Sequence, residues 1–370
     1  METTAFTWGT LPVSWRTLLI GLGALSFILM LTALRLAQGR RLLPVLAAFP
    51  FAAAAALCLG RIIHWYCQSE DYASFGAAMT DLGSGGVSLI GAIAAALLAA
   101  AVLRLLGAEK DTRALLDDTA AAGALGIAAG RLGERFGSAD RGKILIETES
   151  LQRLPFAAPL IHPVSGAEEW RFATFCAQSL WALFLFLVLM VRLAALSRKA
   201  PDLRDRKKGN AFLLFLTLYC EGQILLDSTR YDALFLRSNG FVSMEQILCL
   251  TVLTILLAAQ SVRGIRAGGM RVRYLLSWVL YLAGFGLVGY MEYYVQRHGD
   301  QYVFAYSLMG AGLALFTLVT FVMFRTSMMR PDPDRAPAEP AEPPAPPKSA
   351  PPASGQDFNE YLEFFRVDTD

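Results

Sequence analysis

Charge is scarce in this chain and histidine scarcer still: 17% of its 370 residues are charged and three are histidine. A chain of this length with so little charge cannot clothe a water-facing surface, which excludes an ordinary soluble protein. The five cysteines, Cys58, Cys67, Cys176, Cys220 and Cys249, form no CxxC pair, so neither a zinc site nor a disulfide framework is indicated. His64, His162 and His298 are scattered and read as surface or interfacial residues, not as metal ligands or acid–base groups. Ahead of the first apolar run there is no basic segment and no small-residue cleavage site. Leu18 to Ala37 therefore reads as a retained span and not as a signal peptide. The formal charge of +2 says little, because the basic residues are clustered and their placement matters more than their sum.

Apolar length is what the sequence has in abundance, with 55% hydrophobic residues and a mean hydropathy of +0.44. Crossing a bilayer takes roughly 20 apolar residues in a helix, and runs of that kind occur at about 17–36, 42–60, 86–107, 172–197, 211–226, 243–262, 274–295 and 303–324. A further stretch at about 114–130, DDTAAAGALGIAAG, is rich in alanine and glycine. Its Gly126 and Gly130 have the small-xxx-small spacing that lets another helix approach closely, so it reads as a span packed inside a bundle.

The basic residues support this count. Arg35, Arg40 and Arg41 lie in the first loop; Arg104, Lys110 and Arg113 in the third; seven bases from Arg192 to Lys208 in the fifth; and Arg263, Arg266, Arg271 and Arg273 in the seventh. The alternate short loops are poor in bases, which places the amino terminus outside and the carboxyl terminus in the cytoplasm. Trp8, Trp15, Trp65, Tyr66, Tyr290, Tyr293 and Tyr294 flank the spans as interfacial anchors. The fold expected is thus an all-α polytopic transmembrane bundle of about nine spans, with a small extracytoplasmic head at about 131–171 between spans four and five. Residues 1–265 form a seven-span unit, 266–330 two additional spans, 331–356 a Pro/Ala-rich disordered linker and 357–370 an acidic–aromatic tail.

Ionisable residues near span ends are the informative ones, because membrane burial is costly unless they are paired or functional. Three places stand out. In Gly130-Arg131-Leu132-Gly133-Glu134-Arg135 two glycines flank an arginine, so backbone can approach a ligand while the guanidinium offers a planar fork suited to phosphate. Gln223, Asp227 and Arg230 are spaced to share one helix face at the outer end of span six, the run at about 211–226 once 114–130 is counted. Arg61 ends span two beside His64 and Trp65. Each has a plainer reading: Arg61 and Arg131 as arginines reaching for lipid headgroups, and Asp227 with Arg230 as an intrahelical ion pair. Gly85 and Gly86 most simply begin a span. Taken together, arginines on several outer helix ends describe a basic site at the level of lipid phosphates.

The order of these segments resembles the bacterial prolipoprotein diacylglyceryl transferase family over about residues 10–265. Gly60-Arg61-Ile62 is similar to its Gly-Ala-Arg stretch, and Gly85-Gly86-Val87-Ser88 with Gly91 to its GGMSFHGG segment. Gly130-Arg131-Leu132-Gly133, continuing to Gly142-Lys143, resembles its GRIG signature with the closing Gly-Lys or Gly-Arg. Ala177 to Trp181 resembles the stretch around the end of HPTQLYE, Tyr219 to Arg230 resembles YGIGRFLIEFLR, and Gly240 to Leu248 the LSxxQ segment. The resemblance implies transfer of a diacylglyceryl group from phosphatidylglycerol to the lipobox cysteine of a preprolipoprotein at the outer side of a bacterial cytoplasmic membrane, with glycerol phosphate departing. It implies no metal and no cofactor. The partners are phosphatidylglycerol, the lipobox peptide and membrane lipid, with no nucleic acid.

On this resemblance the catalytic residues are Arg131, Asp227 and Arg230. Arg61, Gly85, Gly86, Ser88, Gly130, Gly133, Glu134, Gln178 and Gln223 line the substrate site. The chain departs from the family pattern where Ile90 replaces its histidine, Gln223 its arginine, Asp227 and Gln178 its glutamates, and where a neutral residue becomes Glu134, whose carboxylate would repel phosphate unless paired with Arg135. A degenerate protein that binds phospholipid or a lipoprotein precursor without turnover is the alternative. A transporter fits less well, because the ionisable residues gather at outer span ends and not at the membrane midplane.

Overall fold

The structure, a computed structural model, describes residues 4–9, 11–80, 89–162, 165–199, 207–235, 240–266, 271–298 and 301–328. The expected linker and tail, together with Gly85, Gly86 and Ser88, lie outside the described residues.

Eleven α-helices are present among the described residues. An antiparallel hairpin, β1 (Thr4–Trp8) and β2 (Leu11–Ser14), precedes α1 (Trp15–Ala37), whose first turn is capped by the Ser14 hydroxyl accepting from the Thr17 N–H at 3.2 Å. Then come α2 (Leu43–Cys67), the short α3 (Phe75–Thr80), α4 (Leu89–Leu105) and α5 (Thr112–Arg131). A three-stranded antiparallel sheet follows, β3 (Arg141–Leu145), β4 (Ala157–Ile161) and β5 (Glu168–Ala173), with β5 in the middle and the short α6 (Glu149–Gln152) between β3 and β4. The chain closes with α7 (Thr174–Ser197), α8 (Asn210–Ser228), α9 (Met244–Arg266), α10 (Arg271–Arg297) and α11 (Tyr302–Met328).

Seven helices, α1, α2 and α7 to α11, are long and apolar enough to cross a membrane, which makes this a polytopic helical membrane protein. The other two of the nine expected spans are α4, of 17 residues, and the small-residue α5, of 20. The segment expected as a head holds the sheet with the short α6 beside it, and Arg171 ties that sheet down by stacking over the Tyr231 ring at 4.3 Å and donating to the Gly142 carbonyl at 3.3 Å.

Small residues decide which helices touch. A Cβ on Gly23 of α1 would come within 2.7 Å of the Gly126 carbonyl oxygen and 2.8 Å of Gly130 Cα, so α1 lies directly on α5. A Cβ on Gly91 would meet Gly60 N at 2.4 Å, which brings α4 onto α2 in the same way. Two apolar clusters flank α8. One joins Ala120 and Ala124 of α5 to Leu185 and Leu189 of α7 through Phe212 and Phe215. The other joins Cys220 and Ile224 of α8 to Cys249 and Leu253 of α9, Tyr281 of α10 and Phe316 of α11. Helices α10 and α11 thus share the core of the bundle. By contrast Leu29, Val191, Ile255 and Leu275 point outward on spanning helices, where lipid is the solvent.

Candidate functional site

The last turn of α5, the chain entering β3 and the end of α8 meet at one level. Arg131 closes α5, and a 3-10 turn (Leu132–Phe136) carries the chain away from it. Asp140, with a left-handed φ of 57°, stands just before β3. Gly142 bridges to Arg230, and the Lys143 N–H donates to the Thr229 carbonyl at 2.7 Å, so the sheet is stitched to the end of α8.

Asp140 is the centre of this arrangement. Its Oδ2 accepts from Arg131 Nη1 in a short ion pair, its Oδ1 pairs with Arg230 Nε at 2.9 Å, and its own N–H donates to Asp232 Oδ2 at 3.0 Å. Arg230 Nη1 reaches Asp227 Oδ1 at 2.9 Å and Glu245 Oε2 at 3.5 Å, while its Nε also meets Asp232 Oδ1 at 3.2 Å. Ser243 Oγ donates to Asp227 Oδ2, and Gln223 Nε2 donates to Glu245 Oε2 at 3.2 Å. Gln246 accepts from the Ser243 N–H at 2.9 Å and fixes the entry of α9. Burial alone would raise the Asp140 pKa, but the adjoining guanidiniums of Arg131 and Arg230 outweigh it and hold the carboxyl below its ordinary range. Lys143 is affected oppositely: burial lowers its pKa, and its Nζ donates to the Ser228 carbonyl at 2.9 Å.

Two guanidiniums therefore pair directly with four carboxylates, Asp140, Asp227, Asp232 and Glu245, while Arg141 and Lys143 act on Asp140 and Asp227 from close by, so acids and bases are interleaved and the cluster carries no positive excess. The sequence expectation of a basic phosphate site needs correction on this point. The two arginines are not equivalent either. Arg230 spends its fork on carboxylates, whereas Arg131 contributes one Nη1 bond to Asp140 and keeps its Nε–H and Nη2 donors without a protein partner among the described residues. Asp140 thus fixes the guanidinium in place while leaving donors available for a ligand.

Other expectations are also corrected. Helix α2 does not end at residue 60 but runs on to Cys67, so Arg61 lies inside it, fully buried, donating to the Ala78 carbonyl through Nε at 3.0 Å and Nη2 at 2.6 Å. These bonds, with one to the Tyr72 hydroxyl at 3.3 Å, join it to the segment around α3 and not to Asp140. Glu134 is paired with Arg16 of α1 at 3.1 Å, and Arg135 turns instead to the Ala157 carbonyl at 2.7 Å. Gly133 admits α1 in place of a ligand, since a Cβ there would meet the Arg16 carbonyl at 3.0 Å, whereas a Cβ on Gly130 would meet nothing within 4 Å. Gln178 lies buried near the start of α7 with neither amide atom partnered, beside Ser179, which donates to the Ala128 carbonyl one helical turn below Arg131. Ile90 packs against the apolar cluster of α8 to α11.

Asp140, Asp232, Ser243, Glu245 and Gln246 were not picked out as site residues by sequence reasoning. Ser243, Glu245 and Gln246 lie in the quoted segment entering α9, so their signal was present; Asp140 is one acidic residue in a polar turn, and only its left-handed backbone and its two arginines distinguish it.

The sequence model of the family described as prolipoprotein diacylglyceryl transferase matches residues 3–262. Among curated relatives, phosphatidylglycerol–prolipoprotein diacylglyceryl transferase 1 of Clostridium perfringens is 25% identical over 248 residues, covering 67% of this chain and 90% of the relative. The Trichormus variabilis enzyme of the same name is 28% identical over 203 residues, 55% of this chain and 68% of its own. That of Bacillus licheniformis is 27% identical over 259 residues, 67% and 90%. With a match that runs from the amino-terminal hairpin to the end of α9, this chain belongs to the prolipoprotein diacylglyceryl transferase family.

Proposed function

We propose that this protein transfers the diacylglyceryl group of phosphatidylglycerol to the lipobox cysteine of a preprolipoprotein. In that step sulfur attacks the diacylglyceryl carbon that carries the phosphate, the carbon–oxygen bond breaks, glycerol phosphate leaves with the electron pair and the departing phosphate takes up the proton that the thiol loses. Charge grows on the leaving phosphate, so donors fixed in advance beside it lower the barrier. The observation that carries the reading is Arg131, clamped by Asp140 with Nε–H and Nη2 unspent. Arg131 binds the phosphate; Asp140, Arg230 and Asp227 hold it in place; and the unpartnered Gln178 amide offers a further polar contact.

We place α4 and α5 across the membrane as well, giving nine spans with the amino terminus and the sheet outside and the carboxyl terminus in the cytoplasm, in agreement with the basic loops. Residues 1–265 carry the transferase unit and α10–α11 are additional to it. A reporter fused after Lys208 reports cytoplasm and one after Glu149 reports the outside; the reverse pattern overturns this topology.

A second reading, a lipid- or precursor-binding protein without turnover, draws on two observations: Ile90 stands in an apolar cluster where the family's histidine is expected, and Gln223 replaces a permanent charge with an amide bonded to Glu245. Purified protein incubated with phosphatidylglycerol and a lipobox peptide separates the two. A diacylglyceryl adduct in the peptide mass supports transfer, abolished by Arg131→Ala; no adduct under conditions where a relative reacts leaves the binding reading.

A further inference from the structure

A cavity of about 60 Å³ lies at the end of α5 remote from Arg131, lined by Gln38, Arg40, Asp118 and Lys208 together with Leu193 and Leu196 of α7. From Asp118 to Arg131 the helix climbs 13 residues, about 20 Å at the rise of an α-helix, so this cavity and the Asp140 cluster sit near opposite faces of the membrane. The flanking loops are the base-rich ones.

Its polar groups fall into two sets. Asp117 is fully committed: its carboxylate accepts the N–H groups of Gly209 at 2.7 Å and Phe212 at 2.8 Å and so caps the start of α8. Asp118 is not. Its Oδ1 accepts from Gln38 Nε2 at 2.6 Å, but Oδ2 has no partner although the residue is only 1% exposed. An ionised oxygen buried without a donor is costly, and the cavity is the space from which a donor can come. At its rim Arg40 and Lys208 both pair with Asp111, at 3.2 and 2.5 Å. On the remaining side Leu193 and Leu196 belong to a helix whose neighbouring Val191 is 71% exposed to the lipid side.

The site thus asks for a hydrogen-bonding cation to meet Asp118, presented from the membrane and joined by a short link to an anion that would share Arg40 and Lys208 with Asp111. We infer that this cavity binds the headgroup of an aminophospholipid from the leaflet on the side of the basic loops, with the primary ammonium on Asp118 Oδ2 and the phosphate at Arg40 and Lys208. Charge complementarity of this kind at headgroup level is how basic span ends select lipids, and the buried carboxylate supplies the amine specificity. A quaternary ammonium has no N–H to give. The assignment is independent of the transfer reaction.

The test is native mass spectrometry of the full chain released from phosphatidylglycerol nanodiscs, titrated with phosphatidylethanolamine or phosphatidylcholine. One saturable site preferring phosphatidylethanolamine by about tenfold or more is expected, the discrimination a lost charge-assisted hydrogen bond gives. Asp118→Asn, close to isosteric, brings the two lipids within about twofold. Ser197→Phe, which fills the mouth of the cavity from an exposed position without touching Asp118, weakens phosphatidylethanolamine binding similarly. Equal binding of the two lipids by the unaltered protein overturns the inference, as does a preference that survives both substitutions. Displacement of bound lipid by an equal concentration of soluble glycerophosphoethanolamine, which has the same charged groups, overturns the lipid assignment.

Discussion

At the scale of single residues, the chemistry of the outer site turns on Asp140. Its carboxylate is 4% exposed and holds two guanidiniums. Removing one partner from such a buried group leaves uncompensated charge, a loss of about 3–5 kcal/mol. Asp140→Asn therefore lowers the melting temperature in detergent and cuts transfer at least about tenfold, since Arg131 loses the contact that aims it. Because the folded Asp140 pKa lies below its unfolded value, its stabilisation is present above the ordinary carboxylate pKa of about 3.9 and is lost as pH falls through the lower folded value. The gap in melting temperature between the native protein and Asp140→Asn is thus constant from about pH 8 to 5 and closes only below about pH 4; a gap that closes near pH 6 refutes the clamp. Gln223 offers the opposite experiment. An arginine there lies beside Glu245 in a cluster without positive excess, so Gln223→Arg raises transfer in the peptide assay, and no gain shows that the missing guanidinium is not what limits turnover.

At the scale of helices, close approach governs both assembly and what could be read in advance. Gly23→Ala forces a methyl group to within 2.8 Å of the α5 backbone, which cannot yield as a side chain does, and costs about 1–3 kcal/mol. Gly123→Ala, on α5 itself but with nothing within 4 Å, is neutral or gains up to about 1 kcal/mol from helix propensity. Equal melting curves for the two variants contradict the α1–α5 packing. The spacing of Gly126 and Gly130 made a close helix partner legible in the sequence, though not that the partner was α1. Arg61 was placed at a helix end because Gly-Arg-Ile-Ile-His-Trp reads as a boundary. The Ala78 carbonyl, brought in by α3, and the Tyr72 hydroxyl engage the guanidinium while α2 continues. The sheet was illegible for a similar reason: strands of five or six residues such as AAPLI are too short for period-2 alternation to stand out. Long apolar runs depend on composition alone and could be read directly, whereas Asp140 gains Arg230 and Glu134 gains Arg16 only from distant segments.

At the scale of the whole molecule, the question is whether the two helices beyond the family match are an appendage. Glu221 on α8 decides it. This acid is buried among spans, and its Oε2 accepts from Thr317 Oγ1 of α11 at 2.6 Å. The Tyr306 hydroxyl of α11 likewise donates to the Ser228 carbonyl at 3.2 Å, next to Asp227. Without α10 and α11 a carboxyl group would face lipid without its donor, and Cys249, Leu253 and Leu257 would lose the apolar cluster that covers them. A chain cut after Arg266 keeps every residue matched by the family yet is expected to be lost to aggregation and proteolysis on expression. Thr317→Val isolates the polar contribution: it removes one donor at nearly constant shape and costs about 1–3 kcal/mol, the penalty of an unsatisfied buried acceptor. Ser307→Ala on the same helix, whose hydroxyl reaches only the Val303 carbonyl from an exposed face, leaves the melting temperature unchanged. A stable, monodisperse truncated protein, or a Thr317→Val variant that melts with the native one, would show that the bundle stands without them and that Glu221 finds its donor elsewhere.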